Sequence, residues 1–397
     1  MNDSLPAVKV SRRGEDRLRS GHLWVFGDDL REVPPGLPPG QWVSVTSRPG
    51  EFLGTATCNL SSRIALRLVS RGTAAPSKTF LAEGIRRALL RRDEAGLGSL
   101  EALRLVYSEG DFLPGLVVDR FGSVLSVQIQ TAGMEILRRE IVSALDEALS
   151  PRLQYERSEG GARRLEGLPE RKGVLSGAGL PQETVTLDGC RFLVDVEGGP
   201  KTGFFLDQRE NRKIVRGLAG GRSVLDGFCS TGAFGVYALA GGASSVLAVD
   251  ISGEAVSAAS GNAARNGFGS RWAGREGNLF SVLRELAESG RRFDLVILDP
   301  PSFAKSREGR EGALRGYRDI NRLGLSLLTP GGILATSSCT QLIDVAKWNQ
   351  ALRDAAADAR VDVHVLARGG QSPDHPVLLG MPETEYLKFA VLRTRRT

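Results

Sequence analysis

SVLDGFCSTGAFG, running from Ser223 to Gly235, is followed by SSVLAVDIS (Ser244 to Ser252), FDLVILDPPSF (Phe293 to Phe303) and GGILATSSCT (Gly331 to Thr340). Each is a short apolar run that stops at a polar residue: Asp226, Asp250, Asp299 and Cys339 in turn. Runs that are apolar at consecutive positions mark strands buried on both faces, as in a parallel sheet covered by helices on either side. From about residue 183 strand and helix patterns alternate to the end, which predicts an α/β domain over residues 183–397 built on a doubly wound, Rossmann-like sheet. Ligands in such sheets sit outside the carboxyl ends of the strands. The four polar tips are therefore the candidate site.

Working outward, residues 1–72 hold short β-rich runs (Trp42 to Val45, Phe52 to Thr57, Ile64 to Val69) separated by turns such as PPGLPPG at Pro34 to Gly40. They predict a small β-barrel. Residues 73–182 change character and predict a small α+β central domain. A helix over Lys78 to Arg92 leads to LRLVYS (Leu103 to Ser108), and two alternating runs meet at Phe121-Gly122 as a hairpin. Ile136, Leu137, Ile141, Leu145 and Leu149 then recur on one helical face. LQYERS reads as a strand, and the charged, Gly-rich stretch from Ser158 to Gly179 reads as a loop or linker.

Composition narrows the function classes. The 397 residues suffice for two or three domains. No apolar stretch approaches the ~20 residues of a membrane span, and MNDSLPAVKVSRRGEDRLRS lacks the apolar core of a secretory signal, so a cytoplasmic protein is expected. Four cysteines and three histidines lie scattered, without zinc-ligand spacing or a disulfide framework, so no metal is expected. The formal charge of +6 favours a polyanionic partner. Basic residues cluster at Arg12, Arg13, Arg17 and Arg19, at Arg86, Arg87, Arg91 and Arg92, and from Lys305 through Arg322. Such clusters also arise as solvated helix faces.

The first strand-turn-helix carries Gly232 and Gly235 at dinucleotide-site spacing, but Ser230 fills the first glycine position. Close approach of backbone to a pyrophosphate wants glycine there, so a cofactor without phosphate fits better. S-adenosylmethionine (SAM) offers a sulfonium, an ammonium and a carboxylate, suited to an acid at the strand tip and a turn of small residues. Asp226, Phe228 and Gly232 would line that turn, Asp250 would take the ribose hydroxyls, and Asn278 in REGNLF would meet the adenine edge. Taken singly, an Asp after a strand is commonly only a helix cap.

Asp299 is followed by Pro300 and Pro301, whose fixed φ stiffens the loop that would orient a planar base edge. Phe303 would stack on the base or serve as packing. Cys339 ends the strand next to the one that ends in Asp299. A cysteine there is commonly a small buried hydrophobe. It is also the group needed to methylate carbon 5 of cytosine, a poor nucleophile until a thiolate adds at carbon 6. Cys229, in the cofactor turn, reads as structural.

With these residues in hand, the chain resembles the RlmI family of class I SAM-dependent large-subunit rRNA methyltransferases, which make 5-methylcytosine. GHLWVFGDDL (Gly21 to Leu30) is similar to the family's N-terminal PUA-domain signature, and EGDFLPGLVVDRFG (Glu109 to Gly122) to its central region. GPKTGFFLDQRENR (Gly199 to Arg212) is the most specific match, and DHPVLLGMPETEYLKF (Asp374 to Phe389) is similar to its C-terminal strands. The resemblance implies SAM contacts for Asp226, Gly232 and Asp250, base recognition by Asp299 and a nucleophilic Cys339. It also places Lys201, Gln208 and Arg209 at the pocket mouth; Lys305, in the basic cluster just after Asp-Pro-Pro, is a further candidate for the substrate. Asn278 departs from the family's usual Asp, and Ser-Cys-Thr from its commoner Ser-Cys-Ser. The implied partner is 23S rRNA or the assembling large subunit; a homodimer is compatible with the sequence. Two other readings are methylation of an exocyclic amine such as guanine N2 by Asp299 without a covalent step, and a SAM-binding assembly protein without turnover.

Overall fold

The computed structural model describes residues 5–72, 78–304 and 308–395. The chain divides into two compact units, the first made of residues 1–185, 194–204 and 373–384, the second of residues 186–193, 205–372 and 385–397.

The second unit is a seven-stranded sheet. In chain order its strands are β1 (Ser223–Gly227), β2 (Ser245–Asp250), β3 (Trp272–Glu276), β4 (Phe293–Leu298), β5 (Leu328–Ser338), β6 (Val363–Gly369) and β7 (Lys388–Thr394). They lie in the order β3-β2-β1-β4-β5-β7-β6. Strands β1 to β5 pair in parallel. The order reverses between β1 and β4, so their carboxyl ends open a crevice there.

Alternate residues go to opposite faces. Leu225, Val296, Leu298, Leu334, Ala390 and Leu392 join one apolar cluster; Val224, Leu295, Ile297, Ile333, Ala335 and Val391 join the other. Helices α1 (Arg209–Leu218), α2 (Ala233–Ala240) and α3 (Gly253–Arg265) cover the second face through Val215, Ala238 and Ala259. Helices α4 (Leu279–Glu288), α5 (Arg310–Ser326) and α6 (Val345–Asp358) cover the first through Leu283, Ile320 and Trp348.

The expectation of a parallel sheet needs one correction. β7 enters between β5 and β6 and runs antiparallel to both. The chain between β6 and β7 contains no α-helix, only the 3-10 turn Pro382–Thr384, so no crossover brings it back in the parallel sense. The DHPVLLGMPETEYLKF stretch likewise supplies one strand of this sheet, since residues 373–384 belong to the first unit.

The first unit has two larger sheets. One is six-stranded and contains the three expected runs as Gln41–Thr46, Phe52–Cys58 and Ile64–Ser70, with Ala7–Val10, Trp24–Phe26 and Leu30–Glu32 added. The other is five-stranded, and helices Lys78–Glu94 and Arg138–Leu149 pack on it through Leu81, Ile85, Ile141 and Leu145. Phe121 and Val124 flank the expected hairpin turn. The stretch Ser158 to Gly179 is not merely a loop. It folds as helix Gly161–Leu165 and strand Arg171–Gly177, the latter antiparallel to Leu153–Ser158 at the sheet's edge. Charged residues are ordinary on an edge, where they discourage further strand pairing.

The first two arginine clusters are largely bound internally. Arg13 and Arg17 each reach the wholly buried Asp29 at 2.5 Å, and Arg19 pairs with Glu15 and Glu51. Arg91 and Arg92 both bond Asp111. Among the described residues no helix is long and apolar enough to cross a membrane, and no group of His, Cys, Asp and Glu could hold a metal ion.

Burial alone would raise the Asp29 pKa, but hydrogen bonds from Arg13, Arg17 and Ser11 outweigh it and hold the carboxyl below its ordinary range. Its stabilising contribution is therefore present above that range and lost as pH falls through the folded value. Asp29→Ala is expected to cost about 1–3 kcal/mol, since it removes the buried acceptor of hydrogen bonds from Ser11, Arg13 and Arg17. The check is a urea-unfolding midpoint for the substituted chain against the parent. Their difference should shrink below about pH 4.

Candidate active site

Asp226 stands one residue before the end of β1, is buried, and its Oδ2 accepts the Gly235 N–H at 2.8 Å. The carboxylate thus ties the strand tip to the first turn of α2. Between them the chain turns through Phe228, Ser230 and Gly232, all with positive φ. A Cβ on Gly232 would lie 2.8 Å from the Ala259 Cβ and 2.9 Å from the Trp272 ring. A Cβ on Gly235 would meet the same ring at 2.6 Å and Asp226 Oδ2 at 3.0 Å. The two glycines let α2 settle against α3 and β3, which is why small residues stand there.

Asp250 ends β2, half-buried, and its two oxygens accept from Ser230 N at 2.9 Å and Ser252 N at 3.1 Å. It shapes the same turn from the neighbouring strand. Burial pushes the Asp226 pKa up to about 7, with the charges of Asp299 and Asp250 adding and Arg212 opposing. Two carboxylates around a turn of backbone suit a cationic, hydroxyl-bearing nucleoside and repel a diphosphate. Cys229 is buried, and burial raises its thiol well above the ordinary range, in keeping with a structural residue. Asn278 is exposed and caps α4, accepting from Ser281 N at 3.4 Å.

Asp299 follows β4 and is half-buried. Its Oδ1 accepts Gln208 Nε2 at 2.8 Å and also the Ser337 hydroxyl. Gln208 is itself held, since Asn211 Nδ2 donates to its Oε1 at 2.5 Å and to Gly370 O at 3.0 Å. Residues from the start of α1 and from β5 therefore converge on one carboxylate oxygen at the end of β4. Arg209, expected beside Gln208, is buried and bonds Glu210 at 3.1 Å. Lys201 is exposed, has φ 52° and belongs to the first unit.

Pro300 is buried and Pro301 exposed. Phe303 is half-buried among aromatic rings: Tyr317 at 4.8 Å, Phe280 at 6.2 Å and Phe228 at 6.5 Å between centroids. Those contacts give it a packing role that holds the loop. Lys305 lies outside the described residues.

Cys339 directly follows β5 and is partly accessible, whereas Cys58, Cys190 and Cys229 are buried. The next residue, Thr340, is fixed from three directions. Its hydroxyl meets the Tyr317 hydroxyl at 2.7 Å and Ser302 Oγ at 3.0 Å, and its carbonyl accepts Lys388 Nζ at 2.8 Å. The Asp-Pro-Pro loop and the segment after Cys339 are thus joined through Ser302 and Thr340. Sequence reading singled out neither this clamp nor Tyr317, Ser337, Asn211 and Lys388 as site residues. Only the adjacency of Ser337 and Thr340 to Cys339 signalled them.

Gly232→Ala is expected to destabilise the second unit by about 2 kcal/mol, since it combines a left-handed φ with a clash against Ala259. Differential scanning fluorimetry should show a lowered Tm. An unchanged Tm would mean that the turn relaxes freely.

Residues 169–385 match the S-adenosylmethionine-dependent methyltransferase family, and residues 8–71 a PUA-like domain. The ribosomal RNA large subunit methyltransferase I of Vibrio cholerae is 39% identical over 389 residues, covering 96% of this chain and 98% of that protein. Its counterpart in Tolumonas auensis is 38% identical, covering 97% of this chain and 98% of its own length. Among solved structures, the methyltransferase SMU.776 complexed with S-adenosylhomocysteine superposes with a TM-score of 0.85. It covers 98% of this chain and all of that one at 23% identity, and shares the fold. The strand order, the acid-tipped turn and the length of these matches agree: the chain is a SAM-dependent RNA methyltransferase of the family that contains the ribosomal RNA large subunit methyltransferases I.

Proposed function

We propose that the enzyme methylates carbon 5 of a cytosine in 23S rRNA through a transient bond between Cys339 and the pyrimidine. The observation that carries this reading is the partly accessible Cys339 at the end of β5, beside the β4 tip that presents Asp299. Relatives at 38–39% identity, named as rRNA large subunit methyltransferases, support the rRNA substrate. Residues 1–72 and 73–182 would hold the RNA, and residues 183–397 would transfer the methyl group.

Asp226, Phe228, Gly232, Asp250 and Asn278 would hold SAM around the first turns, with Gln208 and Arg209 nearby on α1. SAM supplies the methyl group from its sulfonium and leaves as S-adenosylhomocysteine. The Cys339 thiolate adds to carbon 6 of the cytosine, forming a C–S bond and moving an electron pair to carbon 5, which takes the methyl group. A base then removes the carbon 5 proton, and the returning electron pair breaks the C–S bond and frees Cys339. Asp299, held by Gln208 and Ser337, would share a proton with ring N3 and so offset the charge that builds there on addition. Pro300, Pro301 and Phe303 keep that carboxyl in place, and Lys201 and Lys305 would meet the RNA backbone.

Cys339→Ala is expected to abolish turnover on unmodified 23S rRNA while SAM binding persists. Nucleoside mass spectrometry with methyl-labelled SAM reads the product. Label in 5-methylcytidine supports the scheme; label in an N-methylated guanosine makes Asp299 the centre of a non-covalent reaction.

A second expectation concerns pH. The Asp226 carboxyl, raised to about 7 by burial, must be ionised to meet a cationic ligand. Protons therefore compete with SAM, and Kd should rise up to about tenfold per pH unit below 7. Calorimetric titration between pH 5.5 and 7.5 tests this, with Asp226→Asn expected to remove the dependence.

A further inference from the structure

Lys388 opens β7 and pairs with Ser338 across the antiparallel register, one residue before Cys339. It is 9% exposed. Its ammonium donates to Thr340 O at 2.8 Å and to Tyr386 O at 3.0 Å. An ammonium has three N–H groups, so one remains beyond those two carbonyls. The carboxylates of Glu385 and Asp344, and the Cys339 sulfur once ionised, act on it through space. A buried cation without a carboxylate in contact is costly. Accordingly, burial holds the Lys388 pKa below its usual value.

Other groups face this corner. Tyr317 comes from α5, Asp344 from the segment after β5 and Glu385 from the segment before β7. Burial raises the Tyr317 pKa, so its hydroxyl stays neutral near pH 7 and adds no second anion beside the thiol.

We infer that Lys388 is the counter-ion of the Cys339 thiolate, stabilising the ionised nucleophile while its two hydrogen bonds hold the turn that presents it. The thiol proton leaves to solvent and the ammonium keeps its own. The inference deepens the reading of Cys339 as the nucleophile and rests on it for its catalytic meaning. An ordinary thiol with a pKa near 8.5 is about 3% ionised at neutral pH, and a neighbouring cation raises that fraction. If Lys388 were only an anchor for two carbonyls, its loss would impair the site without altering the thiol's ionisation.

The test is the rate of Cys339 alkylation by iodoacetamide against pH, followed by peptide mass spectrometry on the full chain. For the parent protein the midpoint should lie at least about one unit below 8.5. Lys388→Met should move it up to that value or above, and Lys388→Arg should restore it. Turnover of Lys388→Met should fall at least about tenfold at pH 7 and recover in part as pH rises. If Lys388→Met fails to bind SAM, Lys388→Gln, which keeps donors without charge, carries the same comparison. A parent midpoint at or above 8.5, or an identical midpoint in the variant, overturns the inference. Turnover that survives Cys339→Ala would overturn the nucleophile reading instead, and would leave the alkylation result standing.

Discussion

The Asp299 carboxylate is the point on which the site is assembled. One of its oxygens receives the Gln208 amide from the start of α1 and the Ser337 hydroxyl from β5. Gln208 is fixed in turn by Asn211, whose amide also donates to the Gly370 carbonyl. Gln208, Asn211 and Ser337 are buried, and a buried polar group left unmet costs about 1–3 kcal/mol. The chain therefore meets them all at once or loses each separately, and the strand tips are held in register by that constraint.

A second set of bonds does for the thiol what the first does for the acid. Thr340 receives Tyr317, Ser302 and Lys388, so the segment after β5, the Asp-Pro-Pro loop, α5 and β7 share one small polar centre. The acid and the thiol share β5 and the Asp-Pro-Pro loop, while α1 supports only the first and α5 and β7 only the second. Substitutions in the two sets are therefore expected to couple through β5 and the loop.

Much of the second unit was legible because strands buried on both faces announce themselves as unbroken apolar runs, and their polar tips follow from the same pattern. Asp226, Asp250, Asp299 and Cys339 all stand where those runs stop. What escaped had partners remote in the chain. Asp29 neutralises Arg13 and Arg17 across a turn, and Asp111 gathers Arg91 and Arg92, so clusters that looked like an open basic face close on acids the local sequence does not announce. Strand Arg171–Gly177 has little pattern of its own and exists because Leu153–Ser158 offers it an edge. The reversed direction of β7 depends on a missing crossover helix, and Lys388 acquires its surroundings only through that reversal.

The insertion of β7 has a further consequence during synthesis. β5 lies between β4 and β7, and of the strands in this sheet β7 is made last. While the ribosome is still adding the intervening residues, β5 has one ladder satisfied and one long apolar edge bare. Open edges of that kind invite pairing with other chains. Folding of this unit cannot proceed strand by strand behind the exit tunnel; its centre closes when the residues through Thr394 emerge. Until β7 docks, the unit is open to aggregation along that edge, and it gains the corner around Cys339 in the same event that seals its sheet.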